Sequence, residues 1–368
     1  DWSSDVCSSD LKAMNERLWL PGKGHWAEYQ DFMGHKRVHE SAAVWTIYHA
    51  IDSETANPFQ AYQATRYIDT AIPHIPVTAH GLKENGYATI ATTNWLPYSW
   101  SVNNIAFAEV MHTALSYFQA GRAEAGYKLL KSSVLDGMYL GDSPGNFGQI
   151  SFYDAARGEC YRDFGDPIGV ASRVLIQGLF GILPDALNQQ IILRPGFPDD
   201  WDKASVSTPD ISYRFTRKED TDTYHITQRF QTPLHPVLQI NARKEKIRSV
   251  KVNGVPATWQ SIESAHGYPL LSIQAEGTSS TTITIEWEGA SLHTLAVQEL
   301  VIASNGKLAL QIPSGASISQ VYDPQSVLAK HTVEATAFNA QLKGEPGHHT
   351  FFVYTHQGEM DWWQQIGR

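Results

Sequence analysis

The sequence predicts a multidomain chain, helical first and β-rich afterwards. Three observations predict it. Apolar residues recur at helical spacing from about 36 to 185, and after Pro184 the period falls to two. Proline, glycine and asparagine then stand where each pattern needs a start or a turn.

The elements follow in order. Residues 1–11, "DWSSDVCSSDL", are polar, with neither the basic end nor the apolar stretch of a signal peptide. They resemble translated sequencing adapter, which makes them a non-native leader. The alternative is a disordered Ser/Asp segment. Helices are expected near 40–51, 58–70, 100–120, 122–138 and 166–183. Val44, Ile47, Tyr48 and Ile51 form the stripe of the first; Ala108, Met111, Leu115 and Phe118 that of the third. Ala123, Tyr127, Leu130 and Val134 line the fourth, and Ile168, Ala171, Leu175, Leu179 and Ile182 the last. Asn57-Pro58 and Asp166-Pro167 read as N-cap plus first-turn proline, Ser99 reads as a cap at 100, and Gly121 separates an antiparallel pair. Long connections at 71–99 and 139–165 are rich in Gly, Pro, Asn and aromatics, and loops of that length are usually functional. From 186 to 289, "ASVSTPDISYRF", "TYHITQRF", "PVLQINA", "RSVKVNG" and "TTITIEWEG" read as strands of a β-sandwich, with Asn253-Gly254 as a hairpin turn. A second small sandwich is expected over 290–368.

Composition excludes several classes. The 368 residues carry 28 Lys plus Arg against 38 Asp plus Glu, a net charge of −10, which is the wrong sign for nucleic acid or an anionic membrane surface. No apolar run of about 18 residues is present to span a bilayer. Two cysteines, Cys7 and Cys160, make no disulfide framework. His35 and His39 are four apart but lack an H-E-x-x-H pattern, so no metal is expected. There is no G-x-S-x-G elbow and no glycine-rich nucleotide loop. No cofactor is expected. Eleven tryptophans suit either stacking on sugar rings or ordinary burial.

Two segments carry a family resemblance. "GLFGILPDALNQQIILRPGFPDDWDKASVSTPDISYRF" (178–215) resembles the passage by which six-hairpin, (α/α)6-toroid glycosidases leave their last barrel helix for a sandwich. "WAEYQD" (26–31) is similar to the "DEYHE"-type segment of disaccharide phosphorylases and hydrolases, with Ala27 in place of Asp and Gln30-Asp31 in place of His-Glu. The chain also resembles large uncharacterised proteins of gut-type Bacteroidetes. The resemblance implies the C-terminal half of a toroid over 12–185, followed by one or two sandwiches, with the preceding helices and any signal peptide cut off. It implies a periplasmic or secreted protein and poor solubility for the half barrel.

The same resemblance makes Glu28 the general acid. Its neighbours Trp26 and Tyr29 suit the role, because burial among aromatics raises a carboxyl pKa. The bland alternative is a surface glutamate near a helix start. Asp31 is a weaker substitute. The connection between the last two helices would supply the base. There Glu159 leads, Asp163 follows and Asp154 comes after; Arg157 and Arg162 would bind hydroxyls or only make packing salt bridges. Asn94, Trp95, Tyr98 and Trp100 in "TTNWLPYSWSVNN", with Trp26, Tyr29 and His39, are candidate sugar contacts. The expected function is glycoside hydrolysis of an oligo- or polysaccharide by a carboxyl acid/base pair. A phosphorylase or polysaccharide lyase on the same toroid, or a non-catalytic glycan-binding protein, are the alternatives.

Overall fold

The computed structural model describes residues 2–78, 81–95, 104–140, 152–154, 159–161, 165–293, 295, 301–303 and 305–367. The chain divides into two units, Asp1–Leu179 and Phe180–Arg368.

In unit 1 the leader is helical, not disordered: α1 runs Trp2–Arg17. The five expected helices follow as α2 (Val44–Asp52), α3 (Pro58–Ala71), α4 (Phe107–Gln119), α5 (Ala123–Val134) and α6 (Asp166–Arg173). Asn57 caps α3 as expected and completes a capping box: its side chain accepts from the Gln60 amide at 2.9 Å, and its own amide donates to the Gln60 side chain at 3.1 Å. Asp166 is not a cap. Gly165 holds that position, and Asp166 opens the first turn. Proline is tolerated throughout a first turn, where its missing N–H is an orphan anyway, so Pro167 marks the start only to within a residue. Helix α4 is the core of the unit, with Val110, Met111, Ala114 and Leu115 at most 1% exposed. Helices α5 and α6 run on as π-helical turns, Leu135–Leu140 and Val174–Leu179. The second packs on Phe118 through Gly178, where a Cβ would lie 2.6 Å from the ring. The α6 stripe is not the buried face expected, since Ile168 is 57% and Leu175 40% exposed.

The half toroid is not what the chain forms. Strand exceeds helix, 39% against 25%, and among the described residues six α-helices are accompanied by several sheets. In unit 1 these are short ladders: Trp19–Leu20 with His25–Trp26, Tyr29–Gln30 with Val38–His39, and His74–Pro76 with Ala88–Ile90. Asn104–Ala106 pairs with Phe152–Asp154, and that strand with Glu159–Tyr161. Parts of both connections expected as loops are therefore strand. A ladder two or three residues long has no period to detect, so helical stripes alone overstate the helical architecture.

Among its described residues the regular structure of unit 2 is strand, apart from a 3-10 turn at Ala186–Asn188. A six-stranded sheet spans Lys203 to Pro256 with Ser280–Ser291, and a five-stranded sheet contains Ile182–Asp185, Gln190–Leu193, His235–Asn241, Gln260–Ile262 and Leu270–Gln274. Alternate residues are buried along the strands, as in Ile211, Tyr213 and Phe215 or Ile283, Ile285 and Trp287. Asn253 and Gly254 both have positive φ, 52° and 81°, as a two-residue hairpin turn requires. Two three-stranded sheets follow and share a core of Leu308, Phe338, Phe351, Val353 and Ile366. A main-chain clasp joins these sheets to the earlier ones. The Glu359 amide donates to the Glu245 carbonyl at 2.8 Å, beside Gly358 at φ 63°, where a Cβ would meet that carbonyl oxygen at 2.4 Å. Only glycine fits there.

Candidate functional site

The stretch before α2 doubles back on itself. Tyr29 lies opposite His39 in the short hairpin, and the Glu28 amide donates to the His39 carbonyl at 2.8 Å. This turns the Glu28 side chain to the N-terminus of α2, where unpaired amides make a ready anion site. Its carboxylate accepts from the Ala43 amide at 2.8 Å, the Trp45 indole at 2.7 Å and the Thr46 hydroxyl at 2.6 Å. All three are donors, so the Glu28 oxygens act here as acceptors.

Rings gather beside it. Tyr29, 48% exposed, stacks on His39 at 5.0 Å between centroids, and Trp95 meets His39 edge-on at 5.1 Å. The Trp95 indole donates to the Ser41 carbonyl at 3.1 Å. Tyr67 donates to the Ala42 carbonyl and is also bonded by Asn94; burial and the charge of Glu28 push its hydroxyl up to about 12. Two buried atoms on this patch, His39 Nδ1 and Asn94 Oδ1, have no hydrogen-bond partner among the described residues.

Glu28, Tyr29, His39, Asn94 and Trp95 are thus brought together. Trp26 is not with them: at 1% exposed it packs edge-on against Trp19 at 4.5 Å and offers no face to a ligand. Asp31 sits on the hairpin, its amide bonded to the Arg37 carbonyl, and the tip beyond carries Phe32 and Met33, 94% and 79% exposed. Glu159 lies on a strand whose register runs Asn104, Asp154, Glu159 across three strands. Asn104 accepts through its carbonyl from the Thr92 amide, and the Thr92 carbonyl accepts from Val44 at the head of α2, so this row belongs to the same region. Tyr98, Trp100, Arg157, Arg162, Asp163 and the cap expected at Ser99 lie outside the described residues.

One turn further along α2 is a cluster that the sequence did not suggest. Tyr48 donates to Glu109 and stacks on His112 at 4.1 Å, with the His49 ring alongside. Burial, together with the nearby Asp166, raises the Glu109 carboxyl above its usual range against the opposing Tyr48 hydrogen bond. Burial raises Asp166 as well. Beyond them Asp52 accepts from Arg173 at 2.6 and 2.7 Å, Gln119 at 2.8 Å and His112 at 3.2 Å. Burial works to raise Asp52, but these bonds outweigh it and bring its carboxyl down to about 2. The available signal was a charged residue between buried positions: in "NIAFAEVMH", Glu109 follows Phe107 and precedes Val110 and Met111, all of them core.

Among the described residues no three His, Cys, Asp or Glu side chains group to hold a metal, and no helix is long and apolar enough to cross a membrane. No family model matches the sequence, and no curated protein does. Solved structures do match, among them an α-L-rhamnosidase from Dictyoglumus thermophilum, at 12% identity and a TM-score of 0.43. The match covers 78% of this chain and 29% of the rhamnosidase chain. A likeness at that level bears on neither activity nor substrate.

Proposed function

We propose that unit 1 cleaves glycosidic bonds. The observation that supports this best is that two acids, Glu28 ahead of α2 and Glu109 on α4, hydrogen-bond neighbouring turns of α2, Glu28 at Ala43, Trp45 and Thr46 and Glu109 at Tyr48. Glu28 accepts from three donors, and burial with the nearby Asp166 raises Glu109 above its usual range. A carboxyl raised by burial can serve as the proton donor of glycoside hydrolysis beside a second acid. The Tyr29–His39–Trp95 rings, with the two unpartnered polar atoms, suit the apolar face and hydroxyls of a sugar.

In this reading the proton donor is Glu109, not Glu28. Glu109 gives its proton to the leaving oxygen. Water attacks the anomeric carbon and passes a proton to Glu159. The charge of Glu28 steadies the positive charge that builds on the ring. A lyase resting on Tyr48 and His112 is disfavoured, because burial and Glu109 raise the Tyr48 hydroxyl, the reverse of what a base needs.

A second reading has an observation of its own. Three of the roughly four lone-pair positions of Glu28 are occupied, which suits a scaffold in a non-catalytic glycan-binding protein. Reducing-end release from plant and host glycans, measured for the wild type and for Glu28→Gln, Glu109→Gln and Glu159→Gln, separates the two. Hydrolysis requires each variant to lose roughly 10²-fold or more in turnover while glycan affinity stays within a few-fold. No release by the wild type, with binding unaltered in all three variants, leaves the binding protein.

A further inference from the structure

Unit 2 contains a half-open cavity of about 310 Å³, with no counterpart among the features read from the sequence. It opens where the chain crosses from the five-stranded to the six-stranded sheet, between the strands His235–Asn241 and Lys244–Val252. Of its lining rings Phe197 and Tyr268 are partly open, whereas Phe215 and Tyr224 lie behind, 1% and 4% exposed. Phe197 stacks on Phe215 at 5.4 Å, and Phe215 on Tyr224 at 5.1 Å. The lining also holds Arg217, Arg243, Lys244 and Asp199, whose carboxylate accepts from the Tyr268 hydroxyl at 3.2 Å and whose carbonyl accepts from Arg217 at 2.8 Å.

The charges are balanced. Arg217 and Arg243 share the buried Asp222, at 3.1 and 3.0 Å to one oxygen, and Lys244 reaches Asp220 at 2.8 Å. Counting Asp199, three cations face three carboxylates. An anion entering here would meet Asp199, and a cation would meet the two guanidinium groups. A wholly apolar guest would strand both, at a cost for every polar group left without water. A neutral polyol with one apolar face leaves nothing unmatched: its hydroxyls donate to Asp199 and accept from Arg243 and Lys244, and its C–H face lies against the partly open Phe197 and Tyr268. The volume is at the lower end for ligand sites, enough for one pyranose unit.

We infer that this cavity is a binding site for a single neutral pyranose residue of a glycan chain, built wholly from unit 2. It stands independently of the carboxyl chemistry proposed for unit 1. The test is an NMR or calorimetric titration of the full chain, carrying Glu109→Gln to prevent turnover, with methyl α-D-glucoside, methyl β-D-galactoside, methyl α-L-rhamnoside and D-glucuronate. At least one neutral glycoside should saturate in the millimolar range, more tightly than glucuronate. Asp199→Ala and Lys244→Gln, at partly exposed positions that leave the Asp222 pairs intact, should each weaken that glycoside about tenfold, the effect of one charge-assisted hydrogen bond. The inference is overturned by the absence of saturation with any neutral glycoside, by tighter binding of glucuronate, or by unchanged affinity in both variants. Binding lost with the cavity variants but kept by Glu28→Gln assigns it to unit 2 whatever becomes of unit 1.

Discussion

Glu109 is the residue on which the chemistry of unit 1 turns, and its protonation makes a stability statement as well. Its folded pKa lies above the unfolded value, so the folded chain holds a proton that the unfolded chain releases. Stability attached to this group is complete at acid pH and falls as pH rises through the raised pKa. Glu109→Gln copies the protonated form and leaves the Tyr48 hydroxyl an oxygen to donate to. Thermal melts should therefore show the variant losing less stability than the wild type between pH 4.5 and 7. A steeper loss in the variant would mean that the carboxylate is the favoured form. Glu28 was legible in the sequence because an acid flanked by Trp26 and Tyr29 just ahead of a helix is visible in a short window. Glu109 was not. Its partner Tyr48 is 61 positions away, and both sit within stripes that read simply as core.

At the scale of elements, Asp52 ties three helices together. It closes α2, and its carboxylate gathers His112 and Gln119 from α4 and Arg173 from α6. With its carboxyl lowered to about 2 against an ordinary 3.8, the ionised form contributes about 2 kcal/mol. That contribution is present above pH 4 and is lost as pH falls towards 2. Asp52→Ala should cost more, about 3 kcal/mol, because a half-buried guanidinium then loses its acceptor. Urea unfolding at pH 7 measures it; a loss below about 1 kcal/mol would show the three helices held by apolar packing alone. These helices were readable from periodicity because each stripe is a local property. Their arrangement was not, since the contacts that decide it, such as Asp52 with Arg173, join residues 121 apart. The two- and three-residue ladders that accompany the helices are equally silent, as their pairing is the whole of their signal. In unit 2 the strands were legible because half-buried sheets impose alternation over many residues, and Asn253-Gly254 fixed a register locally.

For the molecule as a whole, acid should be the weakness. Among the described residues burial lowers His25 and His112 in unit 1 and His266 in unit 2, and the effect is large at His25 and His266. The His25 ring lies 3.9 Å from that of Tyr67, and His266 meets Phe352 edge-on. Burial brings both down to about 4 from 6.5. A lowered histidine stabilises above the unfolded pKa, and that stability is lost as pH falls, because the unfolded chain takes up the proton first. The window is 6.5 down to about 4. His25, 3% exposed, is worth about 3 kcal/mol across it, and the partly exposed His266 less. The urea midpoint should fall from pH 7 to 4.5 accordingly, and His25→Phe should remove the larger part of the share belonging to unit 1. An unchanged midpoint would mean that both rings already titrate in the folded chain.

The hairpin tip next to the ring patch has one more consequence. Met33 is 79% exposed, whereas Met111 and Met360 are fully enclosed. Dilute peroxide should therefore convert its thioether to the sulfoxide well before theirs. If a glycan lies along Tyr29 and His39, the oxidation rate at Met33 should drop when it binds. Peptide mass spectrometry would then follow occupancy without any label, through a side chain that takes no part in the chemistry.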